Sequence, residues 1–560
     1  MSLTQGPSPR TDGVPDSRAE NGARRVPPGG DDGRAGTPKR LALGLDRVEW
    51  LALIALTGLA FVVLAALASK GRPLSGADGL LAADQLQYFS WIREAATHVL
   101  IGNRFDLAPG DRAFLHPGFA ISGGLHALGL SVPLSYLLWR PVAIGLTFYG
   151  ALRYVRRLIP TPGARHAALI LVLFSVMPAS WLVAWSDWGG NARQYTFDFI
   201  SGEMWSGQYL WGYLMTAIAV FLMPLVLLAH ERGRTGWAAV GALLVCWLQP
   251  WQGATLALIL LGVAAWRRRL TLRDLIVAGA TAPPALYYFL LGKYDPAWQL
   301  AGESNAAGAQ PEWSWPWWAV ALTIAPLAIP ALLALRERAV TWQDMAVRLW
   351  PLAAAAVYFQ PAGTFPYHSL QGIVLPLSVL AVIGVVSLKS RGLVLKPAWV
   401  IAALFVMTVP GFAHKVSVAA NNIHAGADPY FIFDDEHRAL DAIESDPRPG
   451  GVLAPLYSGF LVPYTTGRET YVGQFSWAPN SRSRRIKADS LFEGRLIGDA
   501  ALDFVRSTKA RFLYADCRNL PDLSAVLKPE LERVDRYGCA TVYTLRERPY
   551  MRESAGPPDS

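Results

Sequence analysis

Apolar and polar positions segregate along this chain into blocks. The first apolar run, 50–69, is twenty residues long. As a helix it rises about 30 Å, the thickness of a bilayer's hydrocarbon core. Ten further blocks follow at roughly 133–152, 167–185, 209–229, 237–249, 254–266, 275–292, 317–335, 349–359, 373–388 and 398–413. Pro141, Pro224, Pro283, Pro284, Pro326 and Pro330 fall within them. Membrane helices tolerate such prolines when neighbours satisfy the freed carbonyls. The stretch 237–266 has Arg232 and Arg234 before it and Arg267, Arg268 and Arg269 after it. Two short helices meeting at Gln249-Pro-Trp-Gln252-Gly253 keep both basic flanks on one side. Their turn then sits below the outer surface, where non-helical backbone must face protein or a water-filled cavity.

From about 417 the period changes. Apolar runs shorten to strand length at 451–454, 470–472, 511–514 and 541–544, with helical patterns at 434–445, 483–493 and 498–508. Strands alternating with helices predict a small α/β domain. Residues 1–40 hold 7 Gly and 6 Pro with mixed charges, which cannot bury a core. The expected architecture is an α-helical polytopic membrane protein of about eleven transmembrane helices with a C-terminal extracytoplasmic α/β domain. Its parts are a disordered tail at 1–46, a membrane domain at 47–416, the α/β domain at 417–548 and a second tail at 549–560. A long first external loop spans 70–116.

Composition agrees with the pattern: 52% of residues are hydrophobic and 17% charged, against about 25% charged in soluble proteins. The net charge of +9 sits between apolar blocks, not on one patch, which excludes a nucleic-acid partner and leaves the lipid bilayer. Orientation follows from the loops. One set (153–166, 230–236, 267–274, 336–348, 389–397) carries 16 Lys/Arg in 51 residues. The other (70–116, 186–208, 250–253, 293–316, 360–372) carries 7 in 111. The first set is therefore read as cytoplasmic, together with the N-terminus, and the C-terminal domain as external. Of the three cysteines, Cys517 and Cys539 fall in that domain, where a disulfide can form. Cys246 lies in a helix and packs there.

Candidate chemistry concentrates in the external loops. In the first, Leu86, Phe89, Ile92 and Ala96 recur at helical spacing, predicting an amphipathic helix along the interface. Asp84 stands at its start and reads two ways: a helix N-cap, or a general base at the membrane surface. Tyr88 and Trp91 follow it. The second loop carries Asp187, Trp188, Asn191, Arg193, Gln194, Tyr195, Asp198 and Glu203. Its rings suit sugar C–H faces and its polar groups suit hydroxyls; an aromatic belt is the alternative for any single Trp. The fifth loop holds Tyr367, His368 and Gln371 without formal charge, and His368 reads either as a phosphate contact or as a structural histidine. Arg140, inside the second block, is a functional candidate or snorkels to the surface. The chain has no P-loop, no GxGxxG before a helix, no HExxH and no CxxC, and no span carries a pair of acids. A primary pump and an acid-paired ion-coupled transporter are disfavoured.

The acidic Asp84 soon after the first span, the Asp84-Gln85…Tyr88…Trp91 stretch, the interfacial helix, the span count and the external C-terminal domain together resemble the GT-C superfamily of integral-membrane glycosyltransferases. The resemblance implies a polyprenyl-phosphate-linked sugar as donor and Asp84 as base or acceptor contact. Many members carry two adjacent acids, whereas Gln85 follows Asp84 here. The arginine that often meets the donor phosphate has no match in the late loop, so His368, Lys293 or Arg193 takes that place. Tyr88, Asp187, Trp188, Asn191, Gln252 and Tyr367 complete the expected substrate contacts. No metal ligand is assigned, though a divalent cation is compatible with the chemistry. The expected function is sugar transfer to a cell-wall glycan, lipid or protein acceptor on the outer face of a bacterial cytoplasmic membrane. The rivals are a polyprenyl-linked glycan flippase and a non-catalytic scaffold for envelope assembly.

Overall fold

The computed structural model describes residues 44–108, 110–186, 190–308, 317–360, 366–389, 397–424, 429–518 and 521–547. Most of the expected tail at 1–46, all of that at 549–560, and Asp187 and Trp188 lie outside these residues. The chain from Val48 onward forms one compact unit.

Its first elements are α1 (Arg47–Ala68), α2 (Ala82–Ala95), α3 (Pro117–Ala127), α4 (Val132–Leu137) and α5 (Trp139–Leu158). Next come α6 (Pro162–Phe174), α7 (Ala179–Ser186), α8 (Gly190–Met204), α9 (Ser206–Leu210) and α10 (Leu214–Glu231). The middle holds α11 (Thr235–Leu248), α12 (Pro250–Trp266), α13 (Leu272–Gly279), α14 (Ala282–Tyr294) and α15 (Pro296–Gly308). Then follow α16 (Trp317–Ala334), α17 (Trp342–Tyr358), a 3-10 turn (Pro366–Leu370), α18 (Val374–Lys389) and α19 (Pro397–His424). The last part contains α20 (Asp434–Ser445), β1 (Val452–Leu453), α21 (Leu456–Thr466), α22 (Ser481–Phe492) and α23 (Gly498–Thr508). It ends with β2 (Phe512–Ala515), α24 (Ser524–Leu527), β3 (Leu531–Tyr537) and β4 (Ala540–Leu545).

Five helical stretches among the described residues are long and apolar enough to cross a membrane: 47–68, 214–231, 272–294, 317–334 and 398–423. Shorter apolar helices occupy 162–174, 235–248, 250–266 and 374–388. The chain is thus mostly helical and polytopic, with a small C-terminal sheet. The stretch 237–266 is two helices, α11 and α12, with Gln249 as the sole residue between them. Pro250 opens α12, where a missing N–H costs nothing. Gln249 and Gln252 are both buried, so this junction does lie inside protein. Helix α10 packs against α5 and α11. At Gly150 of α5 a Cβ would lie 2.2 Å from the carbonyl oxygen of Phe221, so only glycine permits this backbone approach.

The expected boundary at 416/417 falls inside α19, which runs on to His424. The sheet order is β1-β2-β4-β3, with β1 and β2 parallel and the other pairs antiparallel. Helices α20, α22 and α23 match their expected positions within two residues. Residues 470–472 do not form a strand. Thr470 makes a single bridge to Val452 and donates its N–H to the carbonyl of Arg104, so the first loop takes the place of a further strand. Cys517 and Cys539 are disulfide-bonded, with Cα atoms 4.7 Å apart.

Helix α2 differs from the expected interfacial helix. Leu86, Phe89 and Ile92 are buried, but against protein. Phe89 packs edge-on to Tyr136 and Tyr464, and α2 as a whole packs on α3 and α21. The apolar stripe of the first loop is therefore covered by the C-terminal part of the chain, not by lipid. Arg140 differs from both readings given to it. It is 1% exposed and does not snorkel; its Nη2 pairs with Asp78, which is equally buried. Asp78 Oδ1 accepts from Gln85 Nε2 (3.0 Å), and Gln85 Oε1 accepts from the N–H groups of Asp78 (2.9 Å) and Gly79 (2.8 Å). This network clamps the entry to α2 onto α5.

Removing one partner of a buried ion pair leaves an uncompensated charge, typically at a cost of about 3–5 kcal/mol. Asp78→Leu is expected to lose that much in thermal unfolding of the detergent-purified protein. Asp78→Leu with Arg140→Met should recover most of the loss. Strictly additive losses in the double variant would rule out the pair as the clamp.

Candidate functional site

Asp84 lies in the first turn of α2. The N-cap position is Leu81, and no side chain caps this helix, so Asp84 is not the cap. Its carboxylate is engaged by groups far away in sequence. The hydroxyl of Tyr213 donates to Oδ2 at 2.8 Å, and Nε2 of Gln474 donates to Oδ1 at 3.0 Å. Both donors are neutral. Among the residues whose side chains are described, no Lys, Arg or His nitrogen lies within ion-pair distance of this carboxylate.

Each donor is held from behind. Tyr213 sits just before α10, where the buried Tyr136 hydroxyl donates to the carbonyl of Gly212 (2.7 Å) and accepts from the N–H of Leu214 (3.2 Å). The Gln474 amide is oriented because its Oε1 accepts from the N–H of Ser476 at 2.6 Å, which leaves its NH2 for Asp84. The segment after Gln474 docks through Trp477. That ring is T-shaped to Trp91 of α2 (5.3 Å) and to Trp298 of α15 (5.2 Å), and Asn103 Nδ2 donates to its carbonyl (2.8 Å). Tyr88, one turn beyond Asp84, has its ring 6.4 Å from that of Tyr213 and 5.3 Å from that of Phe119.

Burial raises the Asp84 pKa above the ordinary Asp range, and the two hydrogen bonds pull the other way. The charges of His368 and Glu203 are felt at Asp84 with opposite signs. Burial, the Asp84 charge and neighbouring groups hold the Tyr88 phenol well above 10.

Beside this carboxylate stands a second cluster. Glu203, buried in α8, accepts on Oε2 from Gln371 Nε2 (2.7 Å) and meets His368 Nδ1 at 3.0 Å. The backbone carbonyl of His368 accepts from Gln252 Nε2 at 2.9 Å, and its ring stands edge-on to Trp251 at 4.7 Å. Gln371 Oε1 accepts from Gln249 Nε2 at 2.8 Å. The α11–α12 junction thus supports the 3-10 turn that carries His368. Nδ1 of His368 also lies 3.0 Å from the Gln371 amide nitrogen, so a carboxylate and an amide converge on one edge of the His368 ring. Tyr367, in the same turn, packs edge-on to Tyr358 (5.6 Å) and Phe199 (6.4 Å).

Of the residues expected from sequence, Asp84 and Tyr88 share one cluster, and His368 and Gln252 share the neighbouring one. Tyr367 adjoins the second through the 3-10 turn. Lys293 is not part of either: it is exposed at the end of α14 with Nζ 5.2 Å from the Tyr294 ring, and none of its contacts is with Asp84, Glu203 or His368. Asn191 and Arg193 fall on α8, where the backbone alone is described. Asp187 and Trp188 are outside the described residues. Asp198 pairs with Lys415 (2.9 Å) and His414 (3.3 Å) of α19, which accounts for it structurally. Tyr213, Gln474 and Glu203 were not among the expected site residues. Glu203 alone left a signal, as an acid closing the second external loop. Asp84, Glu203 and His368 do not converge within the spacing of ligands to one ion, so they do not fit a shared divalent metal.

No protein-family model matches the chain, and no curated protein matches it. Solved structures similar to it include the archaeal oligosaccharyltransferase AglB from Archaeoglobus fulgidus in complex with an inhibitory peptide and a dolichol-phosphate. Identity there is 12% over 84% of this chain and 70% of that one, with a TM-score of 0.44. ArnT from Cupriavidus metallidurans bound to undecaprenyl phosphate is 12% identical over 91% of this chain and 100% of its own, with a TM-score of 0.42. The arabinofuranosyltransferase AftD from Mycobacteria is 14% identical over 91% of this chain and 42% of that one, with a TM-score of 0.45. All three are GT-C glycosyltransferases.

Proposed function

We propose that this protein is a membrane glycosyltransferase that moves a sugar from a polyprenyl-phosphate donor to a hydroxyl of an extracytoplasmic glycan, lipid or protein acceptor. The observation that carries the reading is the environment of Asp84. A half-buried carboxylate held by two neutral donors, with no cation among the described side chains in ion-pair contact, keeps its basicity. A carboxylate locked by Arg or Lys would lose it. Such a group takes a hydroxyl proton.

In the proposed step the acceptor O–H proton passes to Asp84 as the oxygen attacks the anomeric carbon of the donor. The bond between that carbon and the phosphate oxygen breaks, and its electron pair leaves with the lipid phosphate. That anion is already a weak base, so little acid help is needed. The phosphate still gains charge, and a donor aimed at it lowers the barrier. His368 supplies that donor in this reading: Glu203 and Gln371 hold the ring in place, and a ring N–H meets the departing phosphate. In this reading Asp84, the α11–α12 junction and the C-terminal sheet face the extracytoplasmic side, opposite the basic loops.

The test is transfer from prenyl-phosphate sugar donors by the purified protein. Asp84→Asn keeps the side-chain volume and still accepts from Gln474, while the Tyr213 hydroxyl turns to accept. Its fold is therefore expected to survive and its rate to fall by about 10²–10⁴, the usual worth of a general base. An Asn variant keeping more than about a tenth of the rate would exclude Asp84 as the base. The raised pKa also sets a sign for stability. The fold binds this proton more tightly than the unfolded chain, so stability declines as pH rises from 3.8 through the raised value. Asp84→Asn should therefore melt no lower than wild type at neutral pH.

A pH profile separates Asp84 from other candidates. Activity needs the ionised carboxylate, so it declines as pH falls through the raised pKa, above the ordinary Asp range. Gln474→Leu removes a donor to the charged form and raises that pKa further. Its acid limb is expected to move to higher pH. A limb that stays in place, with only the maximum reduced, would mean that Gln474 does not tune the base.

A further inference from the structure

Helix α2 carries a second polar surface that the proposed reaction does not use. Asp84, Tyr88 and Trp91 share one face at spacings of four and three. Ser90, Arg93, Glu94 and Thr97 share another, rotated well away from it. On that side α2, α3 and the end of α21 line an open cleft of about 190 Å³. It is larger than the ~150 Å³ cavity that admits a six-membered ring in an engineered protein. Its wall includes Ser90, Arg93, Glu94, Thr97, Arg104 and His126. Gly467, in the left-handed conformation that ends α21, closes one side.

The charges in this wall are already matched. Arg93 pairs with Glu444 and also donates to the carbonyls of Tyr464 (3.1 Å) and Thr465 (2.8 Å). Arg104 pairs with Glu469 and with Glu94 (2.8 Å), and Glu94 also holds Arg112 (2.8 Å). No cation is left over for an anion, and the arginines disfavour a cationic ligand. What the wall offers is a mixture of donors and acceptors. The Nε–H groups of Arg93 and Arg104 are not used in these ion pairs. Ser90 is 1% exposed, and its hydroxyl has no hydrogen-bond partner. A carbonyl only accepts, so the 2.7 Å contact of His126 Nδ1 with the oxygen of Leu130 places the proton on Nδ1. In that tautomer Nε2 is the ring's acceptor. Hydroxyl groups, which donate and accept at once, match such a wall better than any charged or apolar group does.

We infer that this cavity is a binding subsite for a neutral sugar ring, separate from the Asp84 site and on the other side of the same helix. It fits a saccharide unit of an external glycan, held while another part of that glycan is at Asp84. The binding claim stands on the cavity alone; the link to transfer rests on the proposed function.

Saturation-transfer NMR on the full-length protein in detergent, with free glucose, mannose, galactose and arabinose in turn, tests it. At least one sugar is expected to bind. Thr97→Trp, at an exposed position on the cavity rim, should weaken that binding tenfold or more, and His126→Phe, which removes an acceptor, should weaken it as well. Asp84→Asn should leave it unchanged. Absence of a signal for all four sugars would overturn the inference, as would binding insensitive to both rim variants or displaced equally well by inorganic phosphate. Sugar binding by a protein that shows no transfer would instead count against the proposed function and leave the subsite standing.

Discussion

In the proposed reaction the rest of the site depends on one constraint: a carboxylate has to stay basic where water is scarce. Pairing it with a cation would solve the burial problem and abolish its use as a base. Leaving it bare would drive it neutral. The fold takes a middle course, with two uncharged donors, Tyr213 and Gln474, at 2.8 and 3.0 Å from Asp84. Neither adds charge, and together they offset part of the desolvation. Asp84 also sits in the first turn of α2, where the helix N-terminus favours a negative charge.

Holding neutral donors in place is harder than holding charged ones, because no strong Coulomb attraction draws them in. The structure compensates with rigid backing. Tyr136 fixes the backbone on both sides of Tyr213. Trp477 fits between Trp91 and Trp298, so the segment carrying Gln474 is wedged between rings from α2 and α15. The Arg140–Asp78–Gln85 clamp then fixes where α2 begins. An intramembrane arginine usually signals a pathway or a ligand. Here it holds the loop on which the candidate base is mounted.

Local patterns in the sequence disclosed much of this and could not disclose the rest. Apolar runs located most of the membrane helices, and the double basic flank split 237–266 into α11 and α12. Helix α20 was legible because Ala439, Leu440 and Ile443 recur at helical spacing. Strand β3 (LERVDRY) was not, because its exposed alternation carries no apolar run. Helix α21 was hidden by its nearly uniform apolarity, with Gly459 and Pro463 arguing against a helix. At the site, Asp84, Tyr88 and His368 stood out because they lie in polar connections with recognisable composition. Gln474 had no such mark. It is 390 residues from Asp84, and only tertiary docking gives an ordinary glutamine its role.

That docking makes the C-terminal segment part of the site. The stripe of Leu86, Phe89 and Ile92 looked like a surface for lipid, but α21 covers it. Tyr430 donates to the carbonyl of Gly79 (2.6 Å) and Tyr464 to that of Ser75 (2.9 Å), joining the same two parts of the chain through backbone acceptors. With the segment undocked, Asp84 would lose one of its two donors and α2 its apolar cover together. A positioned carboxylate and a docked C-terminal part are then two consequences of one packing event, and the chain cannot have the first without the second.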